Sequence, residues 1–372
     1  MLQYSQRKIR LARALERFAD IFKRILLRKP TPASQPPLIL LIEPFQMGDV
    51  LSLAVLFDPL LERFPGAKIV IWCHDRNAAV YANDAGVHLI LTAPFPWSSH
   101  GSKRGSLSHW IAVLRSCRRA RSLRPDIAID VRGDIRSQLL MLAAGSPQRI
   151  GYTTYVHSNL CLRGLLLSDP LADIAEKHRY LTNLNALTPL LGSAPPLHLP
   201  ALNVPRTTSE TFTIAIHPGA GWLYKRWDPT RWAALITRLL QHPNMHLFLI
   251  AGPGELALCD EINSLLPSPL EVVSTNFDGL LRTIASVNLF IGLDSGPMNA
   301  ATLMNIPVIA LFGPGESSVW HPLSHGSRFF HHVENYPCHP CTQITCVRAA
   351  DPCMTAIHAD EVYAAALPLL PQ

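Results

Sequence analysis

Residues Phe290 to Pro314, FIGLDSGPMNAATLMNIPVIALFGP, leave the chain little choice of local structure. Leu289, Phe290 and Ile291 form a short apolar run of the kind found in a strand covered on both faces. Asp294-Ser295-Gly296-Pro297 interrupts it. Ser295 is placed to cap a helix, Pro297 suits a first helical turn, and Gly296 lets a ligand come close to the backbone. A helix over Met298–Met304 and a second buried strand over Ile306–Phe312 complete a strand–turn–helix–strand unit, closed by Gly313-Pro314-Gly315. The N–H groups and positive dipole end at such a turn suit a diphosphate. A well-capped unit that holds no ligand fits the same residues equally well.

The same alternation runs through most of the 372 residues. In the first half, strands are predicted at Leu38–Ile42, Lys68–Trp72, Val87–Leu91 and Ile127–Val131. Helices are predicted from Met47-Gly48-Asp49 through Leu61 and at Asn77–Ala85, Leu107–Leu123 and Ile135–Ala144. Pro94–Gly105, rich in Ser, Gly and Pro, reads as a loop. Thr188–Pro205 is proline-rich and aperiodic, which marks a domain boundary. Beyond it come strands at Phe212–Ile216, His246–Ile250 and Glu271–Val273, with helices at Pro229–Leu240, Gly254–Leu266 and Phe277–Ala285. The expected fold is α/β, with two doubly wound parallel sheets in tandem and ligands at the C-terminal ends of the strands. The domains are 38–200 and 206–372, the latter with a Cys-rich segment at 338–353.

Residues 1–29 stand apart. Leu11, Leu15, Phe18, Phe22 and Ile25 recur at helical spacing, and nine Lys and Arg outnumber Glu16 and Asp20. An N-terminal basic amphipathic helix of this kind either lies on an anionic membrane surface or docks on its own protein with a solvated face. Residues 30–37 form a Pro-rich linker. No apolar run reaches the ~18 residues of a membrane span, and the N-terminus lacks a secretory signal. A net charge of +6 favours anionic partners. Eight cysteines in a chain this long are no disulfide framework, which points to a reducing compartment.

Three turns carry candidate chemistry. HPGAGWLYKRW after the strand at Phe212–Ile216 offers close backbone approach at Ala220 and Gly221, and a phosphate-neutralising cation at Lys225 or Arg226. Glu255 in AGPGE can accept hydrogen bonds from a ribose or simply start a helix. Cys338, Cys341, Cys346 and Cys353 are close enough in sequence to hold a tetrahedral zinc or iron, or to remain reduced thiols.

HPGAGWLYKRWDPTRW, AGPGE and FIGLDSGPMNAA…IPVIALFGP, in this order and spacing, resemble glycosyltransferase family 9, the ADP-heptose:lipopolysaccharide heptosyltransferases. MGDVLSLAVLFDPLLERFP and DVRGDIRSQLLMLAAGSPQRIGY resemble its N-terminal half, so the likeness covers most of 38–367. It implies a GT-B fold, two Rossmann-like domains facing across a cleft, and inverting transfer of heptose from ADP-heptose to an anionic glycolipid, the lipopolysaccharide inner core. Asp49 matches the general base, with a helix N-cap as its plainer role. Lys225 matches the donor-phosphate lysine and Glu255 the carboxylate near the nucleoside. Ala220 and Gly221 match the phosphate loop, Asp294, Ser295 and Gly296 the diphosphate and sugar turn, and Thr275 the adenine contact. Asn299 stands where the family usually has histidine, which removes a charge from that position.

The resemblance also implies metal-independent chemistry, in keeping with the absence of a D-x-D motif; any zinc or iron at the four cysteines would be structural. The basic helix and net charge would hold the protein peripherally at the cytoplasmic face of the inner membrane, and no nucleic-acid partner is expected. The rival expectations are a protein O-heptosyltransferase of the autotransporter-modifying kind and a degenerate sugar-nucleotide binding module.

Overall fold

The structure is a computed structural model, and it describes residues 36–98, 106–153, 164, 166–172, 174–202, 204–207, 210–339, 341 and 345–371. The expected basic helix at 1–29 lies outside them. The chain divides into two compact units, residues 1–197 and 198–372.

The first unit is a six-stranded parallel sheet ordered β3-β2-β1-β4-β5-β6. Its strands are β1 Leu38–Glu43, β2 Lys68–His74, β3 Val87–Ala93, β4 Ile127–Asp130, β5 Gln148–Tyr152 and β6 Asp169–Leu171. β1 pairs with both β2 and β4. Ile39, Leu40 and Leu41 are wholly buried because helices cover both faces of a parallel sheet. Each such side chain contributes about 2 kcal/mol of transfer free energy. Helices α1 Met47–Leu51 and α2 Phe57–Arg63 follow β1, α3 Leu107–Leu123 follows β3, and α4 Ile135–Ala144 follows β4.

Two predicted helices of this unit take another form. The helix expected to run unbroken from Asp49 to Leu61 is split by a 3-10 turn at Ser52–Leu56. There the Ser52 hydroxyl donates to the Asp49 carbonyl at 2.6 Å and competes with the helical pattern. The helix expected at Asn77–Ala85 is a 3-10 turn at Asp75–Asn77 followed by tight turns. Its side chains bond elsewhere, Asn77 to the Phe45 carbonyl and Tyr81 to the Leu51 carbonyl, each at 2.7 Å, and these anchors hold the segment in a tighter wind.

The second unit repeats the plan. Strands β7 Phe212–His217, β8 Met245–Ile250, β9 Glu271–Val273, β10 Leu289–Leu293, β11 Val308–Leu311 and β12 Arg328–Phe330 lie in the order β12-β11-β10-β7-β8-β9. Numbered from its own first strand this is again 3-2-1-4-5-6, the doubly wound order of dinucleotide-binding folds. Helices α5 Pro229–Leu239, α6 Leu256–Ser264, α7 Phe277–Ala285 and α8 Gly296–Leu303 connect the strands, and α9 Ala359–Ala366 packs against α5. Trp227 and Trp232 meet edge to face, with ring centroids 4.9 Å apart, inside a core that includes Ile214, Leu235 and Ile291.

In each unit the chain turns one way after the first strand and the other way after the fourth. That leaves an opening at the C-terminal ends of β1 and β4, and likewise of β7 and β10, where doubly wound sheets hold ligands.

Candidate functional site

In the first unit, Asp49 enters at the opening from α1, which directly follows β1, and Arg132 enters just beyond β4. The two side chains form an ion pair, both about nine-tenths buried. Asp49 Oδ2 also accepts from the Gln46 N–H at 3.1 Å as part of a reciprocal helix cap. Capping and ion pairing thus coexist on one carboxylate. Behind it, Glu43 at the end of β1 is fully buried, 2.6 Å from Arg179 and 3.5 Å from Arg132. The Arg132 guanidinium lies over the Phe45 ring, 4.3 Å from its centroid.

Burial alone would push the Asp49 carboxyl up. The Arg132 and Arg179 guanidiniums and the Gln46 N–H outweigh it and hold the group below the usual carboxylate range. Glu43 goes the other way: burial dominates and, with the charge of Asp49, raises it against the two arginines. Asp130, the last residue of β4, is pushed up to about 8 by burial and by Asp134. Its Oδ1 accepts from the Arg132 N–H at 3.1 Å.

In the second unit the loops after β7 and β10 meet. Lys225 Nζ donates to Asp294 Oδ2 at 2.6 Å, both side chains being largely buried. His217, ending β7, lies between Ser295 and Glu255, 3.3 Å from the Ser295 hydroxyl through Nδ1 and 3.1 Å from Glu255 Oε2 through Nε2. Glu255 Oε2 also accepts from the Gly252 N–H at 2.8 Å. Burial pushes the Glu255 carboxyl up, but the His217 hydrogen bond and charge, the Gly252 N–H and Arg226 bring it below its ordinary value. A row of polar groups therefore joins the turns after β7, β8 and β10. Glycine makes the fit possible: a Cβ on Gly219 would stand 2.1 Å from the Glu255 carboxylate, and one on Gly315 2.3 Å from Asp294 Oδ2.

Ser295 does occupy the N-cap position of α8, yet its side chain makes no capping bond. The expectation that it caps the helix is corrected here, since its hydroxyl points to His217 instead. The first N–H groups of α8 thus have no side-chain cap from that residue, beside the Lys225–Asp294 pair.

Comparison with known proteins bears on this arrangement. Residues 113–350 match the family described as "Glycosyltransferase family 9 (heptosyltransferase)", which is well over half of the chain. The chain belongs to glycosyltransferase family 9.

Among its relatives is the lipooligosaccharide heptosyltransferase 2 of Campylobacter jejuni, 31% identical over 155 residues, 40% of this chain and 48% of that protein. The chain matches about half the length of that relative. Lipopolysaccharide heptosyltransferase 2 of Escherichia coli K12 is 24% identical over 327 residues, 80% of this chain and 89% of the relative. In fold, the chain resembles E. coli heptosyltransferase WaaC with ADP at a TM-score of 0.71 and 15% identity, over 90% of this chain and all of that one. The two parallel six-stranded sheets are thus the α/β architecture of GT-B heptosyltransferases.

Within this family-9 fold the expected donor residues fall into two groups. Lys225, Asp294, Ser295 and Glu255 come together through the contacts above. Gly296 opens α8, and Ala220 and Gly221 lie in the loop after β7. Thr275 is exposed just before α7 and touches none of the other expected residues through a described bond. Asn299 is buried and donates to the Ser295 carbonyl at 3.0 Å, so it braces the turn.

His217, Arg132, Glu43, Arg179 and Asp130 had not been predicted to take part. The one available signal was position: His217 and Asp130 end buried strands, where doubly wound folds place their sites. The four C-terminal cysteines line a pocket of about 190 Å³ with Tyr224 and Tyr336. Among the described residues no group of three or more His, Cys, Asp or Glu side chains is arranged to take a metal ion, so the zinc or iron expectation at Cys338, Cys341, Cys346 and Cys353 is without support. The Cys353 thiol is pushed up to about 11 by burial and by Cys341, Cys346 and Cys338.

Proposed function

We propose that this chain transfers heptose from ADP-heptose to an anionic sugar acceptor of the lipopolysaccharide inner core, with inversion at the anomeric carbon. The observation that carries the donor half is the Lys225–Asp294 pair beside the start of α8. A buried lysine held by a single carboxylate exchanges that partner for a diphosphate with little loss of pairing. The α8 amides then share the charge that develops on the departing ADP. Glu255, ionised and braced by His217, is the acceptor for the ribose hydroxyls. Ala220, Gly221, Thr275, Ser295 and Gly296 belong to the same donor surface, and Asn299 supports it from behind.

Asp49 takes the proton of the acceptor hydroxyl as that oxygen attacks the sugar. Its pairing with Arg132 keeps it ionised at neutral pH but lowers its affinity for the proton. An anionic acceptor that draws Arg132 towards itself removes that restraint and makes Asp49 a stronger base when substrate arrives. Both halves of the chemistry use side chains and helix amides of this chain.

Release of ADP from ADP-heptose in the presence of a Kdo-bearing acceptor tests the reading. Asp49→Asn keeps the shape and the Gln46 hydrogen bond but removes the base, so turnover should fall by about 10²- to 10⁴-fold with ADP affinity unchanged. Undiminished turnover in that variant rules out Asp49 as the base. ADP binding without turnover in the wild type leaves a binding module. Residues 1–29 are proposed to contribute to holding the protein at the cytoplasmic face of the inner membrane, and their deletion should lower the share that sediments with membranes.

A further inference from the structure

Helix α3 carries an apolar line on the face turned away from its own sheet. Leu107, Trp110, Ile111 and Leu114 are exposed by 76%, 48%, 40% and 61%, whereas Val113, Ser116 and Ala120 on the opposite side are buried. Positions 107, 110, 111 and 114 recur with the helical period, and the same line continues through Arg118 and Arg121. Residues 106–125 hold Arg115, Arg118, Arg119, Arg121 and Arg124, all exposed, and no Asp or Glu. Four adjacent apolar side chains with a tryptophan among them, followed by a block of guanidiniums, form a surface for an interface that is apolar inside and anionic outside.

We propose that this face of the first unit docks on the anionic surface of a phospholipid bilayer, with Trp110 and Leu114 in the headgroup boundary and the arginines on lipid phosphates. Charge complementarity decides the occupant. A protein partner would need an acidic collar around an apolar socket, whereas a bilayer offers a continuous apolar layer under negative charge. The indole of Trp110 suits that boundary, where one edge is dry and the other wet.

The face also connects with the candidate site. Trp110 lies 5.8 Å from Trp97, Trp97 lies 5.2 Å from Phe95, and the Arg136 guanidinium is 5.8 Å from the Trp97 ring and 5.3 Å from the Phe45 ring. Phe45 in turn carries Arg132, the partner of Asp49. A bilayer at α3 would therefore present lipid-borne sugars near Asp49. The bilayer contact stands without the transferase reading; its service to the acceptor rests on that reading.

Flotation of the full chain with vesicles of equal parts phosphatidylcholine and phosphatidylglycerol, compared with phosphatidylcholine alone, tests the proposal. The wild type should float with the anionic vesicles only. Trp110→Glu with Leu114→Glu, and separately Arg118→Gln with Arg121→Gln, should each weaken binding at least tenfold, since one interfacial arginine is worth about fivefold. Arg118 and Arg121 are exposed and touch none of the candidate-site residues through a described contact, so in the arginine variant circular dichroism and transfer to a water-soluble acceptor should not change. Unaltered vesicle binding by the Trp110, Leu114 variant overturns the proposal, as does equal binding of the wild type to neutral vesicles. A solution dimer that the same substitutions split, with no flotation, also overturns it and gives the face to a second copy. The flotation contains no donor, so a failed Asp49 experiment and a failed flotation are separate results.

Discussion

At the scale of single residues, each unit sets an ion pair across the opening of its sheet, with the charges reversed. Asp49 after β1 meets Arg132 after β4, and Lys225 after β7 meets Asp294 after β10. Breaking a buried pair from one side leaves an uncompensated charge, at a cost of about 3 kcal/mol or more, while removing both partners costs much less. Lys225→Met should therefore lower the unfolding free energy by about that amount, and Lys225→Met with Asp294→Asn should recover most of it. Both should bind ADP weakly. Denaturant titration of the three proteins checks this, and equal loss in single and double variants sinks it. Asp130 makes a second test. Its folded value near 8 lies above the ordinary 3.8, so the folded state holds a proton that the unfolded chain has lost. Stability from this group is then present at pH below about 4 and declines as pH rises towards 8, at up to about 1.4 kcal/mol per pH unit. Asp130→Asn mimics the protonated form, keeps an acceptor for the Arg132 N–H and should remove that decline. An unchanged stability-versus-pH slope in the variant contradicts the assignment.

At the scale of elements, the loops after β7, β8 and β10 fit together only because particular side chains are missing. Gly292 pairs with His217 across β10 and β7, and a Cβ there would meet the His217 carbonyl oxygen at 3.1 Å. Gly219→Ala would drive a methyl into the Glu255 carboxylate. We expect it to displace Glu255 from His217 and to weaken ADP binding about tenfold while the sheet stays intact, as calorimetric titration and circular dichroism would register. Full affinity in that variant means Glu255 does not need its present place. Most strands were legible in the sequence because runs such as LILLI and LFIGL have no polar side, which only a strand covered on both faces tolerates. Helices α3, α4 and α7 appear at the predicted ends because Ser106, Asp134 and Asn276 cap them. The segment at 75–85 escaped prediction. Its apolar spacing is helical, yet the bonds from Asn77 and Tyr81 to other elements decide its winding.

At the scale of the whole molecule, each unit carries its own buried cluster, around Leu40, Val70 and Trp72 in the first and around Ile214, Trp232 and Ile291 in the second. The proposed donor site lies in the second unit alone. ADP at about a hundredfold over its dissociation constant should therefore stabilise that unit by about 2.7 kcal/mol. Scanning calorimetry should show one transition rising with ADP and another unmoved. Displacement of the first unit's transition alone would reject the donor assignment. The sequence by itself determined the repeated strand and helix alternation, the turn at Asp294–Pro297 and the family likeness, because these depend on neighbours along the chain. Tertiary structure alone decided that Ser295 faces His217 instead of capping its helix. It also decided that Arg132 holds Asp49, that burial raises the Asp130 carboxyl, and that the four cysteines line one pocket. Each of these depends on what burial and a distant partner do to a charge or a hydrogen bond, and such pairings leave no periodicity to read.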